Sequence, residues 1–332
     1  MKFSDNAMSA ILLCSYIGIS KDDGLKPFTL GEWTSFLDRI IEKGMEPSVV
    51  MGKDLDVLKQ LSYSGSDIER IEGLVSRGGA VAFELDELSG KGIEVVTLFD
   101  SNYPVLLKRK LKRKTPPVLF YAGDIELAKK IGIAVVGSRN IDEDGIAFTK
   151  ELVKRAAEER LIVYSGGAKG VDSISESAAI ENGSAVVSFI ADSLSSKIKK
   201  KDVLNNIIQG KLLLISDVKP DAGFSAARAM NRNKYIYASA YGAFVVSADY
   251  NKGGTWAGAI ENLKHEWTKE FVWSQNNYTG NPKLIEKGAV PYMLSSKKIY
   301  DVITQKEESY SQMNLFQMQM GEEDSDGKHS SS

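Results

Sequence analysis

Apolar positions along this chain follow two different periods, and the change falls near residue 90. Before it the period is helical. Trp33, Phe36, Leu37, Ile40 and Ile41 recur at i, i+3, i+4, i+7 and i+8, which is one face of a helix. Leu55, Leu58 and Leu61, then Ile68, Ile71, Leu74 and Val75, predict two further short helices, with Gly44, Gly52 and Gly65 as breaks. The apolar start from Ala7 to Ile19, interrupted by Ser9, Ser15 and Gly18, reads as a buried first helix rather than a signal peptide. Residues 1–90 are therefore expected to form a small helical domain. It is either a DNA-touching module of the helix–hairpin–helix or SAM kind, or a plain packing module.

After residue 90 the apolar residues come in short continuous runs: Ile93–Leu98, Val118–Tyr121, Ile131–Val136, Leu161–Tyr164, Ala185–Ile190, Leu212–Ser216, Phe244–Ser247, Phe271–Trp273 and Val290–Leu294. Helical patterns separate most of them. Buried runs alternating with helices predict an α/β domain over 91–304, with a mostly parallel sheet and flanking helices. Beyond Gln305 the composition shifts to serine, glutamine and acidic residues, so 305–332 is expected to be a disordered polar tail.

Two of the strands run directly into glycine-rich breaks. Gly137, Ser138 and Arg139 follow the third; Ser165, Gly166, Gly167, Lys169 and Gly170 follow the fourth. Ligands of such sheets bind outside the carboxyl ends of the strands, where glycine lets the backbone approach a phosphate. Arg139 and Lys169 add one cation to each loop, and the pair reads as a phosphate or nucleic-acid cradle. The competing reading is that any α/β chain needs such reversals. Neither loop is a Walker A loop or a clean G-x-G-x-x-G fingerprint. A third junction, Gly253-Gly254-Thr255, opens a helix that carries Trp256, a candidate for base stacking or for the core, and Glu261.

Charge narrows the choice. The 332 residues carry 42 basic and 44 acidic side chains, a net charge of -2, so binding to a polyanion has to come from a local cluster. Lys108, Arg109, Lys110, Lys112, Arg113 and Lys114 form one cluster, either a polyanion contact or a solvated face. Arg228, Arg232 and Lys234 form another, the first two four apart and so on one face of a helix. Cys14 is the single cysteine, and His265 and His329 are the only histidines, which argues against a disulfide framework, a zinc site or a Ser-His-Asp triad. No cofactor is called for. No stretch is long and apolar enough to span a membrane, and a cytoplasmic protein is expected.

Several of these segments come in the order found in the DprA/Smf (DNA-processing protein A) family. They are Asp100-x-x-Tyr103-Pro104-x-Leu106-Leu107, Pro116-Pro117-x-Leu119-x-Tyr121-x-Gly123, Val135-x-Gly137-Ser138-Arg139 and Ser165-Gly166-x-Ala168-x-Gly170-x-Asp172. The later Arg232-Asn233-Lys234-x-Ile236 resembles that family's Arg-Asn-Arg-x-Ile element. The resemblance, over residues 30 to 275, implies an extended Rossmann-like domain behind a small helical domain. It further implies a non-enzymatic homodimer that binds single-stranded DNA and hands it to a RecA-type recombinase. Lys169 stands where the family has arginine, and Lys234 replaces the second arginine of its element, so charge is kept and the guanidinium fork is lost. The chain after the sheet leaves no room for the winged helix that many members carry. In the tail, Gln312, Leu315 and Phe316 of Gln-Met-Asn-Leu-Phe resemble the peptide with which bacterial proteins dock on the DNA polymerase sliding clamp; the alternative is that they fold back on the domain. The main rival to a DNA mediator is a sensor or hydrolase of a small nucleotide-derived ligand, with Trp256, Glu261 and Asp172 lining a closed pocket.

Overall fold

The computed structural model describes residues 3–20, 23–52 and 56–304. Leu55 of the predicted stripe and the tail with Gln312, Leu315 and Phe316 lie outside the described residues. Five helices come first: α1 (Asp5–Cys14), α2 (Leu30–Glu42), α3 (Asp56–Gln60), α4 (Gly65–Ser76) and α5 (Gly78–Gly90). Local chemistry starts three of them, α1 through the Ser4 hydroxyl, which accepts from Ala7 N–H. Thr29 with Glu32, and Ser64 with Asp67, form capping boxes that satisfy the free amides of α2 and α4. Arg70 grips the Glu32 carboxylate at 2.6 Å, which with the capping bonds holds that acid down to about 2. Trp33, Phe36 and Ile40 face inward as the stripe predicts, whereas Ile41 at its edge is exposed. The stripe does not single out α5, which buries only Val81 and Leu88. At the α4–α5 break, buried Arg77 donates to the carbonyls of Leu12, Ser15 and Ile17, closing the end of α1.

The remainder is one nine-stranded sheet of β1 (Glu94–Thr97), β2 (Val118–Ala122), β3 (Gly132–Gly137), β4 (Ile162–Ser165), β5 (Val186–Phe189), β6 (Leu212–Ser216), β7 (Gly242–Ser247), β8 (Glu270–Trp273) and β9 (Val290–Tyr292), in the order β1-β2-β6-β5-β4-β3-β7-β8-β9. Pairing is parallel from β6 across to β9; β2 runs antiparallel to both β1 and β6. The connections carry α6 (Val105–Leu111), α7 (Glu143–Glu158), α8 (Val171–Glu181), α9 (Leu194–Lys197), α10 (Lys201–Ile208), α11 (Ala226–Ser239), α12 (Gly253–His265), α13 (Asn281–Glu286) and α14 (Ile299–Thr304). Alternating residues of the strands feed two apolar layers. One face packs with α7 and α8 and is continuous with the core of α1, α2, α4 and α5; the other packs with α6, α11 and α12. The helical region thus shares its core with the sheet, and Lys219–Glu84 (2.9 Å) and Arg113–Asp38 (2.6 Å) clamp the seam. Among the described residues no helix is long and apolar enough to cross a membrane.

One acid sits inside this core. Glu270 opens β8 at 2% exposure. Its Oε2 accepts from Asn262 Nδ2 at 2.9 Å, and its Oε1 has no partner among the described residues. Burial pushes its carboxyl up to about 8 from the ordinary 4.5. A raised acid contributes its stability in the neutral form, fully below pH 4.5, and loses it as pH rises through 8. Glu270→Gln should therefore stabilise the protein by about 2–4 kcal/mol at pH 9 and hardly at all at pH 4. Thermal melts across that range test this, and an equal shift at every pH would contradict it.

Candidate functional site

The chain builds the sheet outward from β3 in one direction through β4, β5 and β6, then returns to the other side of β3 with β7, β8 and β9. The crevice at such a reversal opens between the loops that follow β3 and β7. A cleft of about 540 Å³ lies there, walled by the Gly137–Asn140 loop, the Lys252–Thr255 loop and α11.

The first loop is tightly built. A Cβ on Gly137 would lie 2.3 Å from Val171 Cγ2, so the glycine answers to α8 rather than to a ligand. The Ser138 amide already donates to Ser247 Oγ at 2.9 Å and to Ser247 O at 3.1 Å. Arg139 is exposed, with its guanidinium carbon 6.0 Å over the Phe224 ring.

The second loop, expected to be an equal half of the cradle, turns its donors inward. Gly167 N–H donates to Glu176 Oε1 at 2.9 Å, Ser188 Oγ donates to the same oxygen at 2.7 Å, and Ala168 N–H reaches Asp172 Oδ2 at 3.4 Å. Ser165 Oγ donates to Val135 O at 3.3 Å. The anions this loop holds are thus the chain's own. Burial pushes Glu176 up to about 7 and raises Asp172, against the pull of the Arg232 charge. Gly170, at φ +80°, sits so close to the first loop that a Cβ would lie 2.3 Å from Ser138 O. The second loop is the foundation of the first; of its residues and the start of α8, Ala168 and Asp172 line the cleft, and Lys169 is exposed without lining it.

The cations of α11 separate by depth. Arg228 is exposed and donates to Gly223 O at 2.8 Å. Arg232, one turn on, is 6% exposed; its Nη1 donates to Gly166 O and Phe189 O at the ends of β4 and β5, beside Asp172. Lys234, also buried, leads away to Asn231 Oδ1 at 2.6 Å. Arg228, Arg232 and Lys234 thus do not form one row of free cations: Arg232, though held by those carbonyls, still lines the cleft, whereas Arg228 and Lys234 do not. Asn233 does face the cleft and donates to Gly254 O at 3.1 Å. Gly258 allows this closeness of α12, since a Cβ there would meet Tyr237 at 3.2 Å and Asn233 at 3.3 Å.

The third loop brings what sequence reasoning missed. Lys252, exposed, precedes the glycines, and α12 begins without a side-chain cap, so its first-turn amides point their positive end at the cleft. The signal was a lysine directly ahead of a Gly-Gly helix start. Trp256 is buried edge-on to Tyr250 at 5.1 Å and, like the half-buried Glu261, does not line the cleft. The pocket of Trp256, Glu261 and Asp172 expected for a small-ligand enzyme is not formed among the described residues.

Four of the six cations of the basic run are also spoken for, while Arg109 and Lys112 stay exposed. Lys108 donates to Leu98 O at 2.8 Å, Arg113 pairs with Asp38 at 2.6 Å, and Lys114 meets His265 Nε2 at 2.8 Å. Lys110 reaches Ala240 O and Thr268 Oγ1, and burial lowers its amine to about 7. The run joins α6 to α2, α11 and α12 more than it offers a free polyanion surface.

Fold and cleft together define an extended Rossmann-like α/β protein whose crevice at the strand reversal is lined by Arg139, Arg232 and Lys252 beside Asp172 and Asp249. The model of the family described as DNA recombination-mediator protein A matches residues 94–304. The chain belongs to this DprA family. It is 32% identical over 139 residues to the DNA processing protein DprA of Streptococcus pneumoniae, a match spanning 42% of this chain and about half (49%) of that relative's length. With DprA of Bacillus subtilis it shares 26% over 229 residues, 67% of this chain and 75% of the relative. The crystal structure of S. pneumoniae DprA has the same fold, with a TM-score of 0.64 at 21% identity over 92% of this chain and 99% of that one. So does DNA processing protein A of Helicobacter pylori, described for its single-stranded DNA binding mode, with a TM-score of 0.52 at 24% identity over 64% of this chain and 94% of that one.

Proposed function

We propose that this protein binds single-stranded DNA in the cleft between the β3 and β7 loops and acts as a recombination mediator, passing the strand to a RecA-type recombinase. The observation that carries this reading is the cleft itself: Arg139 and Lys252 are exposed beside an uncapped helix start, and Arg232 lines the same cleft from within. Exposed cations and free amides suit backbone phosphates, and contacts of that kind are independent of sequence. The role is one of binding and delivery rather than bond chemistry, by a homodimer. The H. pylori relative described as binding single strands supports the ligand.

Fluorescence anisotropy of a labelled dT oligonucleotide at two salt concentrations, with duplex DNA and free nucleotides as competitors, decides the matter. The expected result is salt-sensitive binding displaced by single strands alone. Retention of a mononucleotide with no oligonucleotide binding would instead make the protein a small-ligand sensor. Removing residues 305–332, with Gln312, Leu315 and Phe316, should abolish capture by the sliding clamp and leave oligonucleotide affinity unchanged.

A further inference from the structure

The basic run from Lys108 to Lys114 takes no part in the cleft, and it leaves charge unmatched. Arg109 and Lys112 are exposed, with no ion pair or side-chain hydrogen bond among the described residues. Lys264, in the last turn of α12, is a third such cation. Lys114 Nζ meets a ring nitrogen, His265 Nε2, rather than a carboxylate. Lys112 also stands at φ +51°, so a charged side chain occupies a backbone conformation that suits glycine. These cations gather at one end of the sheet, because Lys110 fixes the run to Ala240 O and Thr268 Oγ1, just ahead of β7 and β8. The cleft opens at the other end of those strands, about 17 Å away. Between the run and α2 lies a groove of about 390 Å³, with Thr34 and Ser35 on one wall and Arg113 and Lys114 on the other.

The described chain ends at the same place. Ile303 of α14 packs on Gly242, where a Cβ would lie 2.4 Å from Ile303 Cγ2. Gly242 opens β7 and stands two residues after Ala240, the carbonyl that Lys110 holds. Eighteen residues on from Thr304, outside the described residues, the sequence reads Glu322, Glu323, Asp324, Ser325, Asp326: four acids with no cation among them. A chain of that length spans about 23 Å as a coil and about 60 Å when extended. The basic run is about 10 Å long and starts from that same carbonyl, so its cations lie within reach.

We propose that the acidic segment Glu322–Asp326 of this chain docks on the basic end of its own sheet, against Arg109, Lys112, Lys114 and Lys264. The match is one of charge: four acids meet four cations that the fold leaves without an acid. Each exposed pair is weak by itself. The tether makes up for that, because a segment joined to its site by a short linker is present there at millimolar effective concentration. The residues between, with Gln312, Leu315 and Phe316, are then held from both ends, away from the cleft. This contact is independent of the DNA reading and leaves the cleft open.

The test uses the full chain and a carbodiimide, which joins a carboxylate to a lysine amine where the two are in contact, followed by mass spectrometry of the peptides. Links from Glu322–Asp326 to Lys112, Lys114 or Lys264 are expected at low salt and should fade near about 0.5 M salt. Arg109→Glu with Lys112→Glu should cut the yield at Lys114 and Lys264 by about tenfold, since both reporter amines and every tail acid are still present. Both side chains are exposed, so folding should hold, which circular dichroism checks. An equal mixture of 14N and 15N chains should give links within one chain. Links between chains would overturn the proposal in favour of a second copy's tail. Loss of the links on adding dT12 would overturn it in favour of a nucleic-acid surface. Absent links, or a yield unchanged in the double variant, would overturn it outright. The affinity for dT12 should be the same in wild type and variant, so failure here and failure of the DNA reading are told apart.

Discussion

Replacing Arg232 with methionine should destabilise the protein by about 2–4 kcal/mol, the cost of taking the nearby opposite charge from a buried acid with which it forms no direct ion pair, and of freeing two buried carbonyls. The acid is Asp172, 7% exposed under the glycine loops, with only a 3.4 Å bond from Ala168 N–H and the nearby Gly166 amide to help it. Methionine also releases the Gly166 and Phe189 carbonyls at the ends of β4 and β5. Asp172 is already raised by burial, and the removal of Arg232 raises it further. An acid raised in the folded state costs stability as pH climbs through its folded value, so the deficit should be largest near pH 8 and shrink toward pH 4. Urea denaturation at both pH values measures it. Adding Asp172→Asn should recover most of the deficit, and the double variant should bind dT oligonucleotide within about twofold of wild type. An unaltered urea midpoint combined with abolished DNA binding would show that Arg232 is a ligand contact rather than a strut.

Arg139→Glu should have the opposite profile. The side chain is exposed and lies over the Phe224 ring, an interaction worth about 0.5–1 kcal/mol at an exposed site, so stability should barely move. Oligonucleotide affinity should fall by about 10- to 100-fold near 0.1 M salt, equally for all base sequences. The slope of log affinity against log salt should become shallower by about 0.7 for each single-strand phosphate that the variant no longer neutralises. A steeper fall for one base composition would mean that Arg139 reads bases. Unchanged affinity would move the interface away from the cleft.

The two arginines look alike in sequence and are placed in different roles by partners far away along the chain. Arg232 is four residues from Arg228, on the same face of α11, and helical periodicity treats the two equally. What separates them is the depth of α11, whose residues from Tyr235 to Ser239 are buried. The lysine and arginine run from Lys108 to Lys114 makes the same point. Its lack of neighbouring acids holds locally, but Asp38 and His265 come from elsewhere to meet it.

Strand positions and most of the long helices, α5 excepted, were legible in the amino-acid order, because side-chain periodicity and glycine breaks act over a few residues. The parallel strands, the two glycine loops and the third junction at Gly253 could all be placed that way, and the ordered motifs pointed to the family. The buried polar groups escaped such a reading: Glu270 lies one residue before the apolar run that marks β8, and Glu176 is one acid among many on a helix. It took the folded arrangement to establish that the second loop is filled by Asp172 and Glu176, that Trp256 is core, and that Arg139 and Lys252 are the exposed cations of the cleft. The physical reason is range. A backbone conformation is chosen by neighbours in sequence, whereas a charge or an aromatic ring is free for a ligand only if no distant part of the chain has claimed it.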